Sequence, residues 1–203
     1  MVAIVDYGVG NLFSLASSFA AIGEGAVVTR DREVLESADR IILPGVGAFE
    51  DAARKLRECG MAEELIRLAG EGKPLMGICL GMQLLFEKSY EYGEHRGLGL
   101  IEGEIRPISE RIEAGLKIPQ IGWNALHFGK ERHPLFRYLK EGDYVYFVHS
   151  YHAVAPDSVI TATTEYGGTL TAAAAKGNVM GCQFHPEKSG DVGLKILRAF
   201  CEM

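Results

Sequence analysis

The sequence predicts an α/β protein: a mostly parallel central sheet flanked by helices, with an antiparallel portion added in the second half. Short β-branched runs alternate with amphipathic segments through the first half, as βαβ units require. Closely spaced strand-like runs separated by glycine turns fill the second half. No linker, low-complexity tract or internal repeat divides the 203 residues, so 1–203 read as a single domain of ordinary to large size.

Val2–Val5 is the first strand and 11–22 the first helix. Within that helix Leu12, Leu15, Ala16, Phe19 and Ala20 recur at 3.6 spacing and form a core face. Ala26–Thr29 reads as a strand, 33–38 as a short helix and Arg40–Leu43 as the next strand. Residues 48–69 are helical with a break near Gly60. Leu75–Ile78 is a strand and 80–88 a helix. In the second half 143–148, 152–155, 159–165, 171–175 and 179–183 are strand-like. The turns Tyr166-Gly167-Gly168 and Lys176-Gly177-Asn178 signal hairpins, which predicts antiparallel strands laid onto the parallel sheet. Gly190–Cys201 closes the chain as a helix with Val192, Ile196, Leu197 and Phe200 inward.

Composition narrows the function classes. An apolar share of 47% fills a sizeable core. The net charge, 21 − 27 = −6, argues against a nucleic-acid or anionic-membrane surface. No run of 18 apolar residues is present, so no membrane span is expected. The N-terminus reads as a strand and not as a signal peptide. Cys59, Cys79, Cys182 and Cys201 are scattered without a Cys-x-x-Cys, which points to a reducing, cytoplasmic setting without a disulfide framework. His149 and His152 stand three apart, but no further ligand joins them at zinc spacing, so no metal is expected.

The chemistry centres on Gly77-Ile78-Cys79-Leu80-Gly81. A lone cysteine is most often a packed core residue. Here the thiol sits between paired glycines at a strand-to-helix junction, the pattern of a nucleophile elbow. The glycines let backbones cross closely, and the amides of the following helix face the sulfur and can hold an oxyanion. A thiol nucleophile needs a base and a group to orient it. His185-Pro186-Glu187 supplies both: in extended chain, i and i+2 share a face, and Pro186 biases His185 toward extended backbone. The glycine-rich turn Pro44-Gly45-Val46-Gly47 lies between strand and helix and exposes amides suited to an oxyanion hole. Gly8-Val9-Gly10-Asn11 has a similar position but lacks a third glycine or a P-loop lysine, so no nucleotide or other cofactor is expected there. His95, His127 and His133 lie in polar stretches and read as solvated; His149 reads as hydrogen-bonded at a strand end.

Taken together these motifs resemble the class I glutamine amidotransferases, whose glutaminase domains carry a Cys-His-Glu triad. Gly77-Ile-Cys79-Leu-Gly-Met-Gln83 is similar to that family's nucleophile motif, and His185-Pro-Glu187 to its His-x-Glu. Asp6-Tyr-Gly-Val-Gly-Asn11, Pro44-Gly-Val-Gly47, Gly122-Trp123-Asn124, Tyr146-Phe-Val-His-Ser150-Tyr151 and His185-Pro-Glu-Lys188 further resemble the branch that serves imidazole glycerol phosphate synthesis. One departure stands out: that branch usually has Pro-His-Met before Gly-Trp-Asn, and this chain has Pro119-Gln120-Ile121.

The resemblance implies Cys79 as nucleophile, His185 as acid and base and Glu187 as its orienter. It implies an oxyanion hole from the Leu80 amide and the Val46–Gly47 turn, with Gln83, Ser150 and Tyr151 holding glutamine. It also implies a heterodimer with a (β/α)8 cyclase subunit that receives the ammonia, with Asn11, Trp123, Tyr146 and Lys188 near that partner. The glycines around Val46 suggest that the oxyanion peptide points away at rest and rotates in when the partner holds its own substrate. Two rival readings remain. Glutaminase components of anthranilate or aminodeoxychorismate synthesis typically carry Pro-Gly-Pro-Gly where Pro44-Gly-Val-Gly47 stands. A free-standing cysteine hydrolase would turn over without a partner.

Overall fold

The computed structural model describes residues 1–129 and 131–203. Its first half comprises β1 (Val2–Val5), α1 (Leu12–Ala21), β2 (Ala26–Thr29), α2 (Arg32–Ser37), β3 (Arg40–Leu43), α3 (Phe49–Glu58), α4 (Met61–Gly70), β4 (Leu75–Ile78) and α5 (Leu80–Leu85). β5 (Phe86–Ser89), β6 (His95–Arg96), β7 (Ile101–Pro107), β8 (Gln120–Ala125), β9 (His127–Phe128) and β10 (Tyr144–His149) follow. β11 (Tyr151–Val154), β12 (Ile160–Glu165), β13 (Thr169–Lys176), β14 (Val179–Cys182) and α6 (Gly190–Cys201) complete the order.

The main sheet runs β2-β1-β3-β4-β14-β13-β12-β9. Its first five members are mutually parallel, and β13, β12 and β9 continue it antiparallel. β1 and β4 are buried on both faces, as covered parallel strands must be, and so read as continuous apolar runs. Ala3 and Val5 pack toward α2, α3 and α4, whereas Val2 and Ile4 pack toward α1 and α6. No helix among the described residues is long and apolar enough to cross a membrane.

This is the expected α/β class, with differences in the second half. β10 and β11 are not laid onto the main sheet. β10 pairs with β8 in a separate ribbon, and β11 joins a small sheet of order β11-β7-β5-β6. β14 adds to the parallel set through β4, and only β13 turns the sheet antiparallel. The helix expected over 80–88 stops at Leu85. The reason lies in its last carbonyls: Leu84 O and Leu85 O accept from Leu98 N and Leu100 N at 2.8 Å each, so the chain leaves the helix and continues as β5. The glycine turns at 166–168 and 177–178 do join β12 to β13 and β13 to β14.

β1, β3, β4 and β14 are parallel, so their carboxyl ends lie along one edge of the sheet, where open α/β sheets bind ligands. The loop bearing Asn11 leaves β1, the Pro44–Gly47 turn leaves β3, Cys79 leaves β4, and Gln183 to His185 leave β14. β4 lies between β3 and β14, which places the thiol between the glycine turn and the histidine.

Candidate active site

Cys79 joins β4 to α5 with φ 54 and ψ −113, a conformation that costs a side-chain-bearing residue on the order of 1–3 kcal/mol. The surrounding structure enforces it. Cys79 N donates to Cys182 O at 2.8 Å, tying the elbow to β14. A Cβ on Gly77 would lie 2.6 Å from Gly81 O, and one on Gly81 would collide with the carbonyl oxygen of Leu43. A Cβ on Gly45 would meet Gly81 N at 2.6 Å, so the β3 turn rests directly on the elbow. Glycine is therefore required where three backbones converge.

His185 follows β14. Its amide donates to Tyr146 O at 2.9 Å, and Ser189 Oγ bridges His185 O (2.6 Å) and Tyr146 N (3.0 Å), clipping the turn to β10. Glu187 Oε1 lies 2.8 Å from His185 Nδ1. The i, i+2 pairing expected of extended chain is made instead through a 3-10 turn over Pro186–Lys188, with only His185 itself extended. Burial pushes the His185 ring down, but hydrogen bonds to the Cys79 sulfur and to Glu187 outweigh burial and hold it up at about 9. The imidazole is thus poised to receive a proton and keep it near neutral pH.

These groups open onto a cleft of about 290 Å³. Val46, Gly47, Leu80, Gln83, Ser150 and Tyr151 line it beside Cys79 and His185, so every residue expected in the oxyanion hole and substrate site reaches it. Gly47 has φ +94, with open space where a Cβ would stand. Gln83 is buried, its Nε2 donating to Tyr151 O (3.1 Å) and to Gln183 Oε1 (2.9 Å). His149 Nδ1 donates to the same Tyr151 carbonyl at 2.8 Å, and its Nε2 lies 2.9 Å from the buried side-chain amide of Gln120. Gln120 in turn bonds Asn124 at 2.9 Å, so the departure at position 120 falls on an interior contact of the site wall.

Sequence reasoning missed Glu91, Pro119, Val148 and His149, which also line the cleft. Glu91 Oε2 accepts from Phe49 N at 2.6 Å, at the first turn of α3, which anchors the carboxylate at the cleft wall. His95, His127 and His133 are half-buried and not fully solvated as expected: His127 Nδ1 lies 2.8 Å from Glu141, and His133 accepts from Leu135 N.

Of the residues expected near a partner, three come together. Trp123 and Tyr146 are register partners with rings in an edge contact at 6.0 Å, and Lys188 Nζ lies 5.9 Å from the Tyr146 ring. Trp123 is 52% exposed and Ile121 beside it 61%. Asn11 stands at the start of α1 in the β1 loop, where Gly10 packs on Pro44.

The fold and this site are those of a glutamine-hydrolysing enzyme, and the glutamine amidotransferase class-I family matches residues 3–203. The chain belongs to that family. It is 51% identical to the imidazole glycerol phosphate synthase subunit HisH of Wolinella succinogenes, covering 100% of both chains. It is 49% identical to the subunit of the same name from Aquifex aeolicus, covering 97% of this chain and 94% of that one. Among solved structures, a glutamine amidotransferase superposes with a TM-score of 0.76 at 22% identity, covering 100% of this chain and 98% of the other. PurLQS from Thermotoga maritima gives 0.77 at 22% identity, covering 99% and 97%. These two likenesses speak to the fold.

Proposed function

We propose that this chain is the glutaminase subunit of an imidazole glycerol phosphate synthase, acting in histidine biosynthesis. The observation behind this reading is an elbow cysteine, a carboxylate-held imidazole and an anchored glutamate meeting in one cleft, in a chain that aligns end to end with subunits of that name. His185 takes the Cys79 proton, and the sulfur attacks the side-chain amide carbon of glutamine. The Leu80 amide and the Val46–Gly47 turn receive the oxyanion. His185 gives its proton to the departing nitrogen, the C–N bond breaks, and ammonia leaves a glutamyl thioester. His185 then draws a proton from water, which attacks the thioester and releases glutamate and the thiol. The sulfur and Glu187 hold the His185 ring protonated at neutral pH, so it has a proton to give to the departing nitrogen.

At the substrate's other end, Glu91 receives the α-ammonium. The Tyr151 carbonyl is already taken by Gln83 and His149, and the Ser150 carbonyl by Ile108 N, so this segment offers donors to the α-carboxylate. The Trp123, Tyr146 and Lys188 cluster, with Asn11, faces a (β/α)8 cyclase subunit that consumes the ammonia. The free state of all four cysteines suits a cytoplasmic enzyme. The test is the glutamine hydrolysis rate of the chain alone, with the cyclase subunit, and with that subunit holding its nucleotide ligand. Stepwise acceleration is expected; equal rates in all three states contradict the subunit reading.

A further inference from the structure

We propose that Gln183 is a further catalytic residue: its side-chain amide donates a hydrogen bond to the Cys79 sulfur and stabilises that sulfur as it takes up negative charge. This rests on Cys79 being the nucleophile.

Gln183 is fully buried and leaves β14 two residues before His185. Its Nε2 lies 3.7 Å from Cys79 Sγ, within reach of an N–H···S bond. The oxygen and nitrogen of an amide side chain look alike, so which end faces the sulfur must come from partners. Here the partners decide it. The Tyr151 carbonyl can only accept, so the Gln83 atom 3.1 Å away is its NH2. That same nitrogen lies 2.9 Å from Gln183 and must meet the Gln183 oxygen. The NH2 of Gln183 is left facing Cys79. Gln183 N donates to Ala172 O at 2.8 Å, so the side chain hangs from a fixed strand end.

A thiol is a weak acceptor and a thiolate a strong one, so this donor favours the charged form over the neutral one. The thiol's own hydrogen bond to Val148 O is long at 4.0 Å and offers the neutral form little in return. Gln183 transfers no proton. The thiol proton goes to His185, the sulfur lone pair forms the C–S bond, and the Gln183 N–H stays on nitrogen throughout.

The test uses Gln183→Met, which keeps the bulk and removes the donor, and Gln183→Glu, which puts an acceptor there. The full chain is alkylated with iodoacetamide across a pH series, and glutamine kcat and KM are measured in the complex. Iodoacetamide is small, uncharged and independent of the glutamine subsites. The expected result is alkylation of Cys79 slowed on the order of 10- to 100-fold at neutral pH, the value of a hydrogen bond to a charged group. The pH profile should move upward and kcat should fall with it, more so for Gln183→Glu. Wild-type alkylation rate and profile in a folded Gln183→Met chain, with only KM raised, would overturn the proposal and leave Gln183 as a brace for Gln83. Where neither variant folds, the wild-type enzyme still decides. The side-chain NH2 resonances of Gln183 should shift with pH in step with Cys79 alkylation, and resonances that ignore both pH and alkylation would overturn it. Failure of wild-type Cys79 to alkylate at all would sink the nucleophile assignment itself, a different result from a reactive Cys79 indifferent to Gln183.

Discussion

Glu187 Oε1 stands 2.8 Å from His185 Nδ1, and the two side chains are only 1% and 3% exposed. Among the described residues the other carboxylate oxygen of Glu187 has no hydrogen-bond partner, so the carboxylate is committed to His185, which lines the cleft. The carboxylate accepts from Nδ1–H and so fixes the ring with Nε2 available for proton exchange with the sulfur. Glu187→Gln keeps the shape and removes the charge. It should lower kcat by about 10²- to 10⁴-fold, the range for disturbing a base and its orienter, with little change in KM. Steady-state glutaminase kinetics check this, and an unchanged kcat refutes the pairing's role.

Two glycines at the site should respond differently to alanine. At Gly81 the new Cβ meets the Leu43 carbonyl, so Gly81→Ala should destabilise the elbow by about 3 kcal/mol and abolish alkylation of Cys79. At Gly47 there is room but φ is +94, so Gly47→Ala should leave stability within about 1–2 kcal/mol and impair the oxyanion turn. If that turn rotates when the partner is loaded, Gly47→Ala changes the activation ratio more than the affinity for glutamine. Urea unfolding and partner-dependent kinetics separate the two cases; equal activation ratios in Gly47→Ala and wild type count against rotation.

Glu91 lines the cleft, and under the proposed function it receives the substrate ammonium. Glu91→Gln should raise KM for glutamine on the order of 10- to 100-fold, the worth of a charge-assisted hydrogen bond. Alkylation of Cys79 by an uncharged reagent should stay at its wild-type rate. A KM that does not move means the ammonium is held elsewhere.

The acid side of the stability profile is set in part by two buried histidines. Burial holds both His149 and His152 down at about 4. Each is neutral when folded and takes a proton near pH 6.5 when unfolded. Their contribution is fully present above about 6.5 and is lost as pH falls toward 4. Among the described residues neither ring nitrogen of His152 has a partner, so His152→Leu strands no other group. Urea unfolding between pH 6.5 and 4 should show a pH slope shallower by about one proton in His152→Leu. An unchanged slope would remove His152 from the account.

The parallel half of the fold was legible because its strands are short, fully covered apolar runs that periodicity marks without tertiary knowledge; Val2–Val5 and Leu75–Ile78 are examples. The ribbon of β8 and β10 was not, because β8 inverts the usual pattern: Gln120 is buried while Ile121 and Trp123 are exposed. β7 hides for another reason. Gly103 sits in it at φ +120, where a Cβ would meet Val154 O at 2.6 Å, and only Ile101 and Ile105 mark its inner face. Cys79, His185 and the Gly45–Gly47 turn were legible because each lies within a local motif at a strand's carboxyl end. Glu91 was not, since nothing in Tyr90-Glu91-Tyr92-Gly93-Glu94 separates it from the exposed Glu94. Only the long-range bond from Phe49 N singles it out.

The most direct test is to map the adduct of an electrophilic glutamine analogue by peptide mass analysis of the wild-type chain in its complex. Among the described residues Cys79 is the one cysteine lining the cleft, while Cys182 lies sealed in the sheet and the exposed Cys59 stands at the C-terminal end of α3. Modification confined to Cys79, lost with all glutaminase activity in Cys79→Ser, is the predicted result. Modification at Cys59 or Cys182, or full activity in Cys79→Ser, would contradict it.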